Sequence, residues 1–422
     1  MDSRTNISTF LVFDAIVPKF EGAEPRVLYC YSVEPMQPHQ DVNQAGLFIA
    51  FLKFCTRFRC ASPCDYIETG NYQNGLLELR DNVWMAIRRK KNDNSANHTF
   101  IKFLLQNCRE MFNLFFPQLT RDPETNEIDE KSTNLIKSAF ASIVKSTINT
   151  DLTIAHLYNS TFNLTIPFEM EDNLSQHIYN LLHQRLSPIM GIAIMYSYYF
   201  IYSSFPPDIS RTISLALRVK LPYLFPQALA KEDKKLYWTI GMCYQPDGQL
   251  CVFAPPLYIN GHQFPLIALR FGKIRFIIAL KENVLVSPES LNYIPHYIKP
   301  LKHFFESFNV RTIAGKYKGP YLLVNSNKQD QCLKFAYHKL AEHDIPLTQD
   351  LLLTCNSFAS DFSTYSSIAL CGKSNFFVWY RNLRMKEVAI IMKTDCKEVS
   401  NAIKWCRTLD DDKNLSHMEV KR

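Results

Sequence analysis

Glycine is scarce in this chain, 12 among 422 residues. Folds that cradle a phosphate or a dinucleotide need glycines at fixed places in a tight loop, so the scarcity argues against them. The one stretch with the right ending, Cys371-Gly372-Lys373-Ser374, has Ser367 where the loop needs its first glycine. No paired Cys-x-x-Cys, no His-x-x-x-His and no Gly-x-Ser-x-Gly elbow occurs anywhere. Cys55, Cys60 and Cys64 lie close together but fall short of the four ligands of a structural zinc. His177 and His183, or His338 and His343, lack the i, i+4 spacing that sets two imidazoles on one helix face. Asp410-Asp411-Asp412 reads as a solvated terminus. The expectation is therefore no catalytic residue, no metal and no cofactor.

Long apolar runs are missing as well. The best candidate, Ile189 to Phe205, carries several tyrosines and serines and runs into Pro206-Pro207. It falls short of the roughly 20 residues that span a bilayer and reads as buried strand or helix pair. The start, "MDSRTNISTFLVFDAIVPKF", has no basic region ahead of an uninterrupted apolar one, so no signal peptide is expected. Twelve cysteines then read as free thiols in a reducing compartment, and the sequons at Asn159 and Asn163 as chance matches. The net charge of +7 is mild. It suits acidic partners such as an anionic membrane surface, while a nucleic-acid binder shows a sharper basic patch.

What the chain does have is apolar bulk: 47% hydrophobic residues, with 30 Phe and 21 Tyr. That is globular composition, and the length suits two to four domains. In "ELRDNVWMAIRRKK", Val83, Met85 and Ile87 fall on one face of an extended segment and Trp84 and Ala86 on the other. Both faces are apolar, which predicts a central strand covered on both sides. The basic run Arg88-Arg89-Lys90-Lys91 reads as a solvated loop, or else as a contact for an acidic surface.

The element order is more telling. Strands at Phe10–Val17 and Arg26–Val33 precede a helix from about Asp41 to Phe58, with Asp41 as N-cap. Strands Asp65–Thr69, Leu76–Leu79 and Val83–Arg88 follow, with a hairpin turn at Asn74-Gly75, and then a helix from His98 to Phe116. This predicts an α/β sandwich with a mixed five-stranded sheet. After "TRDPETNEIDEKS", a helix near Thr133–Ile148 and a less regular stretch, the order starts again. "MYSYYFIYSSF", a helix from Pro207 to Leu221, strands within Tyr237 to Glu282 and a helix from Pro288 to Phe308 form the second round. A third begins at Tyr321, with helices at Thr348–Phe362 and Cys396–Leu409. The repeat is one of architecture, without readable identity.

These residues carry a resemblance. "FLVFDAIVPKF", "RVLYCYS", "AGLFIAFLKFCTRF" and "DNVWMAIRRK" resemble the first longin domain of the CCZ-one family, named for calcium, caffeine and zinc sensitivity. "LKFAYHKLAEHDIPL", Ser360 to Phe362 and "NFFVWYRNLRMKEVAIIM" are similar to its third longin domain. The resemblance implies three longin-type α/β sandwich domains in tandem, each a mixed five-stranded sheet flanked by helices. The expected boundaries are a first longin domain at 1–120, a linker and helical segment at 121–185, a second at 186–312 and a third with its charged tail at 313–422.

It also implies a function. Members pair with a MON-one-like three-longin protein into a heterodimer that exchanges guanine nucleotide on the late-endosomal GTPase Rab-seven. They work peripherally on late endosome, lysosome or vacuole membranes, and remodel the GTPase switches without an acid–base residue. The expected partners are that protein, a Rab-seven-like GTPase and an anionic phosphoinositide membrane, and no nucleic acid. Rival readings are a longin subunit of a lysosome-related-organelle exchange factor, or a ciliary planar-polarity scaffold that binds phosphoinositide.

Two candidate surfaces follow. In the first helix Leu47, Phe51, Phe54 and Phe58 form a stripe read as facing the sheet. Phe48, Leu52 and Cys55, extended by Ile49, form a second stripe, either buried or left for the GTPase or partner longin domain, with Lys53 and Arg57 at its rim. Phe48, Ile49, Leu52, Lys53 and Cys55 are thus the expected Rab- or partner-binding residues. Arg381, Arg384 and Lys386 cluster near a turn of the third round and are the expected membrane contact; Arg270, Lys273, Arg275 and Lys281 flank the strands of the second.

Overall fold

Burial on both faces of the strand β1 (Ile7–Asp14) sets the pattern of the first domain: Leu11 and Phe13 pack to one side of it, Phe10 to the other. The computed structural model describes residues 7–16, 24–57, 64–91, 98–148, 161–164, 168–184, 187–196, 199–224, 237–244, 250–306, 321–327, 332–338, 367–371, 376–383 and 386–393, and beyond residue 301 their backbone. By packing, the chain separates into two units, Met1–Asp151 with Val219–Tyr223 and Tyr258–Gly261, and the remainder.

In the first unit β2 (Arg26–Ser32) pairs with β1, and α1 (Gln40–Arg57) follows. Then come β3 (Tyr66–Glu68), β4 (Tyr72–Arg80), β5 (Val83–Lys90), α2 (His98–Phe115) and α3 (Glu130–Ile148). Asp41, expected as the cap, lies inside the first turn of α1, where its Oδ1 accepts the Val42 amide at 2.9 Å. The sheet order is β2-β1-β5-β4-β3. Every neighbouring pair is antiparallel, where a mixed sheet was expected. The chain crosses from β2 over one face as α1, lands on the far edge as β3, and returns to the centre by two hairpins, so no parallel neighbour arises.

β5 is the central strand, and Val83, Met85, Ala86 and Ile87 are fully buried with Trp84 nearly so. Trp84 and Ala86 pack under α1 with Leu11, Phe13 and Leu76. On the opposite face Phe140 of α3 meets Phe10, Tyr29 and Phe112 of α2, with ring centroids 5.7, 6.1 and 5.2 Å away. Helices on both faces satisfy a strand that is apolar on both sides. The turn from β4 to β5 is Asp81-Asn82, both at positive φ (50° and 63°), closed by the Arg80–Val83 pair. That is the twist a two-residue hairpin requires.

Asn74-Gly75, expected to be a turn, lies within β4 instead. The glycine serves a different need: a Cβ there would meet Ile101 Cγ2 of α2 at 2.2 Å. It lets α2 sit close on the sheet. The first domain also runs past residue 120, since α3 packs on β2 and α2 within this unit. The connecting loop is held by Arg121, whose guanidinium donates to both carboxylate oxygens of Asp14 (2.8 and 3.1 Å), to the Asn126 carbonyl (2.8 Å) and to the Asp81 carbonyl (2.5 Å). Asp14 is 2% exposed, so this pair is one that a single substitution leaves unbalanced.

The second unit begins with β6 (Thr161–Leu164) and α4 (Phe168–His183). β7 (Ile189–Tyr196), β8 (Tyr199–Ser203), α5 (Pro207–Arg218), β9 (Tyr237–Tyr244), β10 (Leu250–Phe253), β11 (Pro256–Ile259), β12 (His262–Phe271), β13 (Ile274–Leu280) and α6 (Pro288–Glu306) follow. The apolar stretch from Ile189 is thus two strands, β7 and β8, paired antiparallel. Leu174 and Ile178 of α4 and Leu291, Ile294 and Ile298 of α6 close over Ile192, Ile194, Phe276 and Ile278 of the sheet. β14 (Tyr321–Asn327), β15 (Cys332–His338), β16 (Ser367–Cys371), β17 (Phe376–Leu383) and β18 (Lys386–Lys393) complete it. The helices expected at Thr348–Phe362 and Cys396–Leu409 lie outside the described residues.

Strand order repeats. The sequences β8-β7-β13-β12-β9 and β15-β14-β18-β17-β16 reproduce β2-β1-β5-β4-β3 position for position. The hairpin entering β13 also turns in two residues, closed by Phe271–Ile274, and Leu383 of β17 pairs with Lys386 of β18. β6 lies between β8 and β15, parallel to both, so these two sets of strands form one continuous sheet.

Two substitutions test the packing of the first unit. Gly75→Ala forces α2 off the sheet and should cost about 1–3 kcal/mol, read as a lower urea midpoint with unchanged slope. Asp14→Ala leaves the Arg121 guanidinium facing a pocket without its counter-charge and should cost about 3 kcal/mol. Amide exchange of the loop around Asn126 should quicken more than that of β5. Equal quickening in both would mean the pair does not anchor this loop.

Candidate functional site

α1 has more apolar surface than the sheet beneath it can cover. Its inner face is Gln44, Ala45, Phe48 and Ile49, all buried. Phe48 stacks on Phe13 with ring centroids 6.1 Å apart. Leu52 is half-buried against the same cluster. The outer face carries Leu47, 50% exposed, and Phe54, 57% exposed. Ala50 is exposed between them and Phe51 is half-buried alongside. Positions 47, 50, 51 and 54 follow i, i+3, i+4 and i+7, one stripe along the helix. Exposed Asn43, Lys53 and Arg57 border it.

The first stripe, read as facing the sheet, thus faces out, and the second takes the buried one of its two readings. Phe48 (2% exposed) and Ile49 (4%) belong to the core and are not surface contacts. Leu47 and Phe54, expected inside, face out; Phe58 lies outside the described residues. Of the residues singled out, Lys53 is exposed, and Leu52 and Cys55 are half-buried at the margin. The periodic signal for the outer stripe was present in the sequence, but nothing in it ranked one stripe above the other. The stack on Phe13 and the cover over Trp84 decide it.

Cys55 of α1 lies beside Cys64, just ahead of β3. Burial, and then the neighbouring Cys55 thiol, push the Cys64 thiol above its ordinary range. The Cys64 Sγ also reaches the Tyr66 carbonyl at 3.5 Å. A raised thiol pKa makes Cys64 a weaker nucleophile. Cys60 lies outside the described residues, and among the described residues no group of three or more His, Cys, Asp or Glu is placed to hold a metal ion.

The basic run Arg88-Arg89-Lys90-Lys91 is a strand end with partners, not a solvated loop. Arg88, Arg89 and Lys90 belong to β5. Lys90 pairs with Glu34 and Lys91 with Glu68, both at 2.5 Å, and the Arg88 guanidinium lies 3.7 Å over the Tyr72 ring. Burial lowers the affinity of the Arg89 guanidinium for its proton. Lys90 and Lys91 thus have carboxylate partners within the domain, whereas Lys53 and Arg57 are exposed beside the apolar stripe.

The expected membrane residues are placed only in part. Arg381 lies in β17 opposite Val388 of β18, and Lys386 opens β18 opposite Leu383. Arg384 lies outside the described residues. In the second unit Arg270 Nε donates to the Gly272 carbonyl at 2.7 Å, Lys273 lies 5.7 Å from the centre of the Tyr196 ring, and Lys281 is exposed. No helix among the described residues is long and apolar enough to cross a membrane.

Residues 8–117 match the family described as the first longin domain of INTU, CCZ1 and HPS4. The match runs from β1 through α2, the whole antiparallel sheet and the helices on either side of it. The first unit therefore carries a longin domain of this kind. No curated protein matches the chain.

The face assignment has a direct check. Phe48→Asp buries a charge beside Phe13 and should unfold the domain. Leu47→Asp changes only the outer stripe and should leave the melting temperature within about 2 °C, a change below about 0.5 kcal/mol. If Leu47→Asp were the more damaging of the two, the stripes would be assigned the wrong way round.

Proposed function

We propose that this chain is a three-longin subunit of a heterodimeric guanine-nucleotide exchange factor of the MON-one/CCZ-one type. It acts on a Rab-seven-like GTPase at late endosome, lysosome or vacuole membranes, in endosome maturation and vesicle fusion. The observation that carries the reading is the outward apolar stripe of α1 on a longin domain of the family shared by CCZ1. The recurrence of one strand order in three places supports three tandem longin domains, and the resemblance of the first and third rounds to the CCZ-one family suggests the partner and the GTPase.

On this reading the stripe of Leu47, Ala50, Phe51 and Phe54 belongs to a platform made jointly with the partner's first longin domain. Interface cores are apolar and their rims charged, and Lys53 and Arg57 supply a basic rim. Exchange then needs no acid or base of its own. The factor binds the nucleotide-free GTPase more tightly than the loaded form, and that difference in affinity drives release. The third domain, with Arg381, Arg384 and Lys386, is the proposed contact for an anionic phosphoinositide surface.

The family shared by the first domain also includes INTU and HPS4, so partner identity is the discriminating measurement. Purification of the tagged chain from its own cells should yield one stoichiometric partner of MON-one type. The purified complex should speed nucleotide release from the Rab-seven-like GTPase. Leu47→Asp and Phe54→Asp should lower that rate at least tenfold while the complex stays folded, since each leaves a charge desolvated in the contact. Lys53→Glu should slow association and increase its salt dependence. Recovery of ciliary proteins, or of a lysosome-related-organelle subunit with no release from this GTPase, would replace the proposal with the corresponding rival.

A further inference from the structure

Three sets of strands share one order, and the fate of their equivalent edges differs. In the second unit the strands at the position of β2 are β8 and β15, and each is joined on its outer side by β6. The register is parallel in both cases, Asn163 beside Phe200 and Cys332 to Phe335 beside Thr161 to Leu164. In the first unit β2 ends the sheet, and among the described residues it pairs with β1 alone.

The hydrogen-bond phase of β2 shows what this edge offers. Val33 donates its amide inward to the Ser8 carbonyl at 3.2 Å, and the register Thr9–Ser32 to Val12–Tyr29 is unbroken. Backbone groups alternate in direction along a strand, so Tyr31 and Tyr29 also turn inward, while those of Ser32 and Cys30 turn outward. α3 does not take their place. It lies across the face of the strand, through Phe140 against Tyr29. An edge with outward amides and carbonyls is a template for a further strand.

We propose that the outer edge of β2 accepts an extended segment of another polypeptide, running parallel to β2 and of the character of β6. The donated segment is short, β-prone and free of proline, as Thr161-Phe162-Asn163-Leu164 is. Its backbone supplies the affinity. This acceptor is distinct from the outer face of α1 and stands whether or not the exchange-factor reading holds.

The test uses the intact chain and a synthetic peptide of its own stretch Asn159 to Ile166, NSTFNLTI. Saturating peptide should slow amide exchange at Cys30 and Ser32 by about tenfold, leaving β3 and α1 unchanged. Ser32→Pro removes one outward amide, and with it the hydroxyl that donates to the Ser8 and Glu34 carbonyls. The inward bonds of Tyr31 and Val33 to β1 remain, so it should abolish the protection and melt no lower than Ser32→Ala, which loses the same hydroxyl. Ser32→Ala keeps the amide and should keep the protection, which separates the backbone from the hydroxyl. Amides of Cys30 and Ser32 already slow in the dilute free chain would show the edge covered by this chain itself. Slowing that grows with chain concentration would show a second copy in its place. Either result, or no response to the peptide, overturns the proposal.

Discussion

A strand that is apolar on both faces cannot end at the surface of a sheet, and β5 is such a strand. Its burial forces two requirements on the first domain. β5 must be central, and each face of the sheet must be covered by helix. α1 covers the side of Trp84 and Ala86, and α2 with α3 covers the side of Val83, Met85 and Ile87. The hairpin at Asp81-Asn82 reverses the chain without splaying β4 from β5. Arg121 then ties the loop after α2 to the carboxylate at the end of β1 and to the carbonyl of that same hairpin. Sheet, hairpin and loop are thereby fixed together, and α1 is left as the element with apolar surface to spare.

That surplus is where the sequence was least legible. Element order, the central position of β5 and its split of faces follow from period-two alternation, because a strand has only two faces to assign. A helix whose apolar residues extend most of the way round has no such constraint. Leu47 and Phe54 repeat as regularly as Phe48 and Leu52, so spacing alone is silent on which pair meets the sheet. Shape settles it: Phe48 fits against Phe13 at the level where Ala45 lets the helix approach. Gly75 was misread for a related reason. A turn signal and a close-approach signal use the same residue, and only the position of Ile101 distinguishes them.

Connections were harder still. The stretch before Met170 does alternate, as Thr161-Phe162-Asn163-Leu164, but four residues ahead of Pro167 are too short a run to separate a strand from a loop by period alone. α3 was visible as a helix but not as part of the first domain. Its membership rests on Phe140 meeting rings from β1, β2 and α2, residues far away in sequence. The antiparallel sense of the sheet was missed because a helical crossover suggests parallel neighbours. Here the crossover joins the two edges of the sheet, where it imposes no sense on any adjacent pair.

The geometry of α1 also limits what a platform built on it could do. Eighteen residues make a helix about 27 Å long, and its outer stripe is a single row. A partner longin domain and a GTPase could not both centre on Leu47 and Phe54, since each would displace the other from the same contact. On the proposed reading they divide the row along its length. The end near Asn43 and Leu47 has Asp41 as its one charged group, half-buried and accepting the Val42 amide, which suits a permanent interface with a related domain. The end near Phe54 carries Lys53 and Arg57, which suits a partner that must arrive quickly, bind acidic groups and leave again. On the proposed reading, the polarity of the stripe, apolar first and basic last, gives the fixed partner the start of α1 and the exchanging one its end.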